Sequence, residues 1–353
     1  MVSGTTTMEA RQSLSKLRLF RQRRLVSCHG NGEALIWDLS SQSVVSSFSE
    51  PRGGPGLALR RTEDNETILY QTRDPLGTVS LHDTTTTTTT QQLLLQWQTL
   101  SQTFCPAAPC RGNGNLVVLP SHHASFATVR DVRMPPDSNP VASFHGANDD
   151  RHGMMTSVAM CLRGKTKTPL VSCGMESGSV FVHDMTATSS CFVNLGKDPI
   201  LGLDLVSSDN GAVCAMGLAG DAAELQELPE PQQGTVALVK AVHSDDNGRL
   251  CAKLRAQVGT CTLQGGGKPG VSSVRFRDDG AVFGIGGWDK RARLFHRTKS
   301  SPLAILKGHK STVKALDFAP DASVSGLLAT ASNDGRINVW RCFPNDAKPV
   351  GVD

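Results

Sequence analysis

The stretch from Val271 to Trp340 constrains the fold most, because it states one pattern twice. The first copy reads V-S-S-V-R-F-R-D-D-G and continues as G-W-D-K-R-A-R-L-F-H. After a connector holding Gly308-His309 the second reads V-K-A-L-D-F-A-P-D and then S-N-D-G-R-I-N-V-W-R. Asp289 and Asp334 are 45 residues apart, and so are Phe295 and Trp340. Each copy is a set of short β-strands with turn residues between them. A period of that length marks a small sheet that must stack on copies of itself, because one unit cannot bury both of its faces.

The pattern propagates through most of the chain. The hydrophobic triplet Val271, Val274, Phe276 recurs as Val313, Leu316, Phe318, and in looser form at Leu14, Leu17, Leu19, at Met155, Val158, Met160 and at Ile200, Leu203, Leu205. The strand that closes each unit recurs as Trp37-Asp38, His82-Asp83, Arg130-Asp131 and His183-Asp184, and a weaker strand is expected at Val236–Val242. With Phe295 and Trp340 these make seven units. The expected fold is all-β, a seven-bladed β-propeller with blades near 14–50, 55–98, 100–145, 154–196, 198–258, 269–307 and 311–344. Residues 345–353 read as a tail.

Closure of the ring is the exception to this regularity. A propeller completes its last blade with a terminal strand, since otherwise a sheet edge stays unpaired. Residues 1–13 supply neither an evident hydrophobic strand nor Gly-His. Either Val2–Met8 pairs as a poor strand, or the sequence begins too late. The second is the expectation, and with it an imperfectly closed ring.

Composition narrows the function classes. The net charge of +4 is too small to predict direct nucleic-acid binding without a concentrated basic face. No apolar run is long enough to span a bilayer, so no membrane association is expected. Ten cysteines scattered without C-x-x-C pairs fit reduced thiols in the nucleus or cytoplasm better than disulfides or a zinc site. The basic cluster Lys16, Arg18, Arg21, Arg23, Arg24 coincides with the first strand pattern and reads as that strand rather than a targeting signal. Thr84–Thr90 and Asp221–Gln233 read as exposed loops.

The sharpest polar constellation is His309, Thr330, Asp334 and Trp340. These residue types also make nucleophilic triads. At this spacing they sit inside one blade, as a hydrogen-bonded chain from imidazole to hydroxyl and carboxylate that ends at the indole N–H. A structural clamp is expected, not catalysis. Partial versions stand at Ser27 and Trp37 in blade 1, at Asp74 in blade 2 and at Asp289 in blade 6. Blade 1 carries Asn31 at the carboxylate position, and blade 6 carries Phe295 for Trp and Pro269-Gly270 for Gly-His. His82 and His183 occupy the Trp position singly and lack the clustering a metal requires. Ala159–Thr166 mimics a phosphate loop, but Met160–Leu162 continue a strand and Pro169 leaves no room for the following helix. No Gly-x-Ser-x-Gly or His-Glu-x-x-His motif occurs. The expected protein is not an enzyme, and neither cofactor, metal nor small-molecule substrate is expected.

These repeats resemble the WD40 family. Within it, Gly286–Phe295, Pro302–Leu306, Leu328–Ile337 and a Phe343-Pro344 close resemble the ASTRA-associated, G-protein β-subunit-like proteins. Gln71–Asp74, Leu116–Pro120 and Glu176–Val180 add to that likeness. The resemblance implies a scaffold of the ASTRA assembly, linked to chromatin remodelling. It also implies a link to the Tel2–Tti1–Tti2 cochaperones, which with Hsp90 mature phosphatidylinositol-3-kinase-related kinases. Alternatives are a heterotrimeric G-protein β-like subunit or a WD40 adaptor with another partner. The former needs a long N-terminal heptad helix, which residues 1–13 cannot form. In such blades the residue before the turn aspartate faces one rim, which gives Arg73, Trp288 and Asn333, with Glu176 by alignment, as candidate partner contacts. Trp288 ranks first because Trp is over-represented among interface anchors, although packing on the neighbouring blade accounts for it equally well.

Overall fold

A computed structural model describes residues 5–9, 14–20, 24–50, 54–62, 66–84, 93–146, 150–163, 167–186, 189–208, 211–219, 235–243, 250–259, 270–298, 302–320 and 326–342. Thr85–Thr90, 221–233, Gly164–Thr166 and 343–353 fall outside them, and with them the expected threonine loop, acidic loop, phosphate-loop end and tail.

Among the described residues, twenty-eight strands form seven antiparallel four-stranded units arranged as a ring. A leading strand, β1 (Thr5–Glu9), belongs to the last blade. Blade 1 runs from the axis outward through β2 (Leu14–Leu19), β3 (Arg24–His29), β4 (Glu33–Asp38) and β5 (Ser43–Ser49). Blade 2 repeats the order with β6 (Gly56–Arg61), β7 (Thr67–Thr72), β8 (Thr78–Asp83) and β9 (Leu93–Gln98). Blade 3 holds β10 (Ala108–Arg111), β11 (Asn113–Pro120), β12 (Phe126–Asp131) and β13 (Ala142–His145). Blade 4 holds β14 (Met155–Arg163), β15 (Thr168–Met175), β16 (Ser179–Asp184) and β17 (Ser189–Asn194). Blade 5 holds β18 (Ile200–Ser208), β19 (Gly211–Leu218), β20 (Thr235–His243) and β21 (Leu250–Gly259). Blade 6 holds β22 (Val271–Phe276), β23 (Val282–Gly287), β24 (Arg291–His296) and β25 (Pro302–Lys307). Blade 7 is β26 (Val313–Phe318), β27 (Leu327–Ser332), β28 (Arg336–Arg341) and, outermost, β1.

Burial follows position in the blade. The second strands are buried almost throughout, as in β7, β23 and β27, because neighbouring blades cover both faces. The fourth strands β5, β9 and β25 bury only Ser46, Trp97 and Leu306, with Phe48 half-buried. Each interface between blades holds one apolar cluster, and there are seven of them around the ring. Innermost strands carry an irregularity at the same place in six blades, between the first and third residues: Leu14/Lys16, Gly56/Ala58, Met155/Ser157, Ile200/Gly202, Val271/Ser273 and Val313/Ala315. Such bulges bend and twist a strand. Repeated at one level, they turn each inner strand around the channel.

The structure corrects the expectation of imperfect closure. Thr5–Glu9 pairs with β28 in register, Thr5 opposite Trp340 and Glu9 opposite Arg336. Met8 is buried at the interface between blades 7 and 1 with Leu14, Leu17, Ile337 and Val339. Thr7 Oγ1 donates to Asn338 Oδ1 at 2.9 Å, and Arg336 pairs with Glu9 at 2.9 Å. The amide of Leu19 donates to Asp317 Oδ2 at 2.9 Å on the inner side of the same seam. The propeller therefore includes part of the segment first set apart as residues 1–13.

A second departure lies between blades 3 and 4. The inner strands β10 and β14 pair in parallel, Cys110 with Met160 and Arg111 with Cys161, so the two blades share one eight-stranded sheet.

Candidate functional site

In blades 1, 2, 4, 6 and 7 the turn between the second and third strands is held by a network of polar side chains from the turn, its flanking strands and the preceding connector. In blade 7, His309 Nε2 lies 2.8 Å from Thr330 Oγ1, and Trp340 Nε1 donates to the same hydroxyl at 2.8 Å. His309 Nδ1 is 3.4 Å from Asp334 Oδ2, an electrostatic contact without hydrogen-bond alignment. The carboxylate accepts instead from the amides of Lys310, at 2.6 Å, and Arg336, at 3.0 Å. Burial holds the His309 imidazole below its ordinary pKa against the pull of Asp334, so the ring is neutral at physiological pH. For Asp334 burial works upward, but the two amides and His309 outweigh it and keep the carboxyl below its usual range. Thr330 is fully buried, so this hydroxyl faces no substrate. The arrangement clamps strands and does not present a nucleophile.

The other blades reach the same end with different residues. In blade 1, Trp37 Nε1 donates to Ser27 Oγ at 2.8 Å. The imidazole comes from within the strand, His29 Nε2 at 3.3 Å from Ser27 Oγ, instead of from a preceding Gly-His. Asn31 Oδ1 accepts from the Glu33 amide at 3.0 Å, holding the turn as a carboxylate would. In blade 2, Asp74 accepts from the amides of Leu76 and Thr78 at 2.9 and 3.1 Å and from Thr72 at 3.3 Å. His82 lies 2.9 Å from Ser80, whose hydroxyl donates to buried Glu50. In blade 4, His183 Nε2 meets the Gly146 carbonyl at 3.4 Å, while His152 Nδ1 lies 3.2 and 3.0 Å from the hydroxyls of Ser177 and Ser179.

Blade 6 uses a cation. Asp289 receives both guanidinium nitrogens of Arg293, at 3.1 and 2.5 Å, and Arg293 is 1% exposed. Arg293 thus fills the slot that a histidine fills in blade 7. Sequence reasoning passed over Arg293, although a charge inside the apolar run Ala292–Phe295, four residues from Asp289, was a readable signal. His29, His152 and Glu50 were missed because they lie outside the spacing of the regular repeat.

The networks leave the turn apices facing solvent at one end of the ring. Arg73, Glu176 and Asn333 are exposed and Trp288 is half-buried. The Trp288 ring lies over Gly270, where an added Cβ would stand 2.5 Å from it. Trp288 N donates to the Gly270 carbonyl at 3.0 Å. Part of the indole is therefore committed to blade packing, and the rest remains at the rim. Arg73 stacks over Phe104, with its guanidinium carbon 4.0 Å from the ring centroid. Phe104, in the connector after β9, is 55% exposed and extends the rim, a residue the repeat pattern did not mark. Glu176 Oε2 accepts from the Met154 amide at 3.3 Å. The backbone N–H of Asn333 donates to the Thr312 carbonyl at 3.2 Å. The four candidates sit on four separate blades and define a rim, not a pocket. At the adjoining turn position Gly77, Gly178 and Gly335 take positive φ, and in blade 6 Lys290 does so at 68°, where a side chain is disfavoured. No group of three or more metal-ligating side chains occurs among the described residues.

Comparison with known proteins places this geometry. The family described as "WD domain, G-beta repeat" matches residues 300–341, the connector and strands that carry His309, Thr330, Asp334 and Trp340. The chain is a WD40-repeat protein. It is 26% identical over 321 residues to guanine nucleotide-binding protein subunit beta-like protein 1 of Mus musculus, covering 91% of this chain and 88% of that one. It is 34% identical over 270 residues to ASTRA-associated protein 1 of Schizosaccharomyces japonicus, covering 70% of this chain and 66% of the relative. Among solved structures, the Myceliophteria thermophila Cps50 (Swd1) β-propeller domain superposes with a TM-score of 0.70 at 15% identity, over 97% of this chain and 100% of that one. That likeness shows the β-propeller fold.

Proposed function

We propose that this WD40 propeller is a non-catalytic scaffold for protein-complex assembly, an ASTRA-type component. The observation that carries the reading is the 34% identity to an ASTRA-associated protein across most of the chain. The site chemistry supports it: the residues that could be mistaken for a triad are buried clamps, and their effect is to hold an exposed rim of turns. A rigid rim bearing Trp, Arg and Phe suits a protein partner, because such side chains bury large areas at low conformational cost. The proposed partners are the Tel2–Tti1–Tti2 group and Hsp90, acting in maturation of phosphatidylinositol-3-kinase-related kinases, with chromatin remodelling as the wider setting. The proposed location is the nucleus, the cytoplasm or both.

Affinity purification with mass spectrometry, comparing the chain with Trp288→Ala, tests the proposal. Recovery of Tel2–Tti1–Tti2 components, reduced at least about fivefold by the substitution, is expected for an anchor worth more than 1 kcal/mol. A γ-like subunit in their place, or undiminished recovery with Trp288→Ala, would remove this reading of the rim.

A further inference from the structure

The opposite end of the channel has a different character. One side-chain level of the innermost strands faces the axis there, presenting Arg18, Arg60, Pro109, Ala159, Asp204, Arg275 and Asp317 from blades 1 to 7 in turn. Around this level lies a cavity of about 330 Å³, lined also by Thr62, Asp278 and Pro320 from the turns between first and second strands. These turns lie at the other end of the sheets from the partner rim. The volume is that of a small ligand pocket.

Charge in the cavity is unevenly matched. Asp204 is held by Arg111 at 3.1 Å and by Arg275 at 3.2 Å. Asp278 is held by Arg61 at 3.3 Å and Arg111 at 3.8 Å. Asp317 accepts from the Leu19 backbone, and Arg18 turns to the Leu17 carbonyl at 2.5 Å. Arg60 makes no ion pair with a described carboxylate. Five guanidiniums therefore face three carboxylates, and the surplus sits on the adjacent blades 1 and 2. Deeper in the channel Lys16 and Lys314 add two more cations without an acid. Burial, then Arg18, pushes Arg60 down to about 9, and burial, then Arg60 and Arg18, pushes Lys16 down to about 8. Converging like charges in an enclosed space are costly unless an anion offsets them.

We propose that this mouth of the channel binds a compact, multiply charged phosphate-bearing anion, with Arg60 and Arg18 as its central ligands and Lys16 beneath them. Two neighbouring guanidiniums offer planar forks that match phosphate oxygens two at a time. A ring of inner strands around a pocket this small admits a compact anion and leaves no groove for an extended peptide. Asp204 and Asp278 are already neutralised by Arg61, Arg111 and Arg275, so repulsion from them is weak where the surplus lies.

Isothermal titration of the full chain with sodium tripolyphosphate, at constant ionic strength, tests this, with sodium sulfate and trisodium citrate as comparisons. One saturable site for tripolyphosphate is expected, with weaker binding of sulfate and citrate. Arg60→Gln should weaken it roughly tenfold, the loss of one charge-assisted contact, and Arg60→Lys should lose less. Thermal unfolding of Arg60→Gln without ligand should match or exceed the parent, which separates loss of binding from loss of fold. The proposal is overturned by absent saturation at millimolar tripolyphosphate, by undiminished affinity in Arg60→Gln, or by citrate binding as tightly.

Discussion

At the scale of single residues, the protein solves one problem several ways. A turn must be held against its blade, and most of the buried polar groups that hold it find partners. Blade 7 does this with His309, Thr330 and Trp340, blade 1 with His29, Ser27 and Trp37, and blade 6 with Arg293 and Asp289. Thr330 is the hub of its network, receiving the indole N–H while contacting the imidazole. Thr330→Ala should lower stability by about 3 kcal/mol in urea unfolding, because it leaves buried polar atoms without partners. Thr330→Ser keeps the hydroxyl and should recover most of the loss. Equal losses in the two variants would show that the methyl group and its packing matter instead. The blade 7 constellation was readable in sequence because its spacing is regular. In blade 6 the charge of Arg293 within an apolar run was a readable signal, but its role becomes plain only once Asp289 is seen to face it at 2.5 Å.

At the scale of elements, inner and outer strands obey different rules, and this decides what the sequence reveals. Second strands such as β23 and β27 are covered on both faces, while the first-strand triplets and the closing residues of the third strands set the phase of the repeat. Fourth strands are mostly exposed, and pairing along one edge needs no hydrophobic pattern. The closing strand β1 is one of these: its threonines favour a strand, and Met8 alone is buried. Its sequence thus resembles a poor strand while it completes the ring through backbone pairing with β28. Met8→Ala should cost about 2–3 kcal/mol, as for other buried methionine truncations. Val44→Ala, on the 44% exposed face of β5, should change stability by less than about 0.5 kcal/mol. Differential scanning calorimetry of both would decide whether the seam between blades 7 and 1 contributes to the ring, and indistinguishable melting would mean that β1 is dispensable.

At the scale of the whole molecule, seven apolar clusters close a ring with two unlike ends. One end presents exposed Arg73, Phe104, Glu176 and Asn333, with Trp288 partly seated on its own blade. The other opens on the axial cavity whose arginines come from blades 1, 2, 3 and 6. The number of blades and the rim candidates were legible from the repeat. The cavity was not, because its five arginines are scattered over four inner strands and converge only when the ring closes. The proposed division of labour is a protein-binding rim at one end and a compact anion at the other. Hydrogen–deuterium exchange of the chain with and without purified Tel2–Tti1–Tti2 complex tests it most directly. Protection is predicted at the turns containing Arg73, Glu176, Trp288 and Asn333. Protection confined to the exposed fourth strands or to the turns at Thr62 and Asp278, or no protection at all, would contradict the assignment of the rim as the partner face.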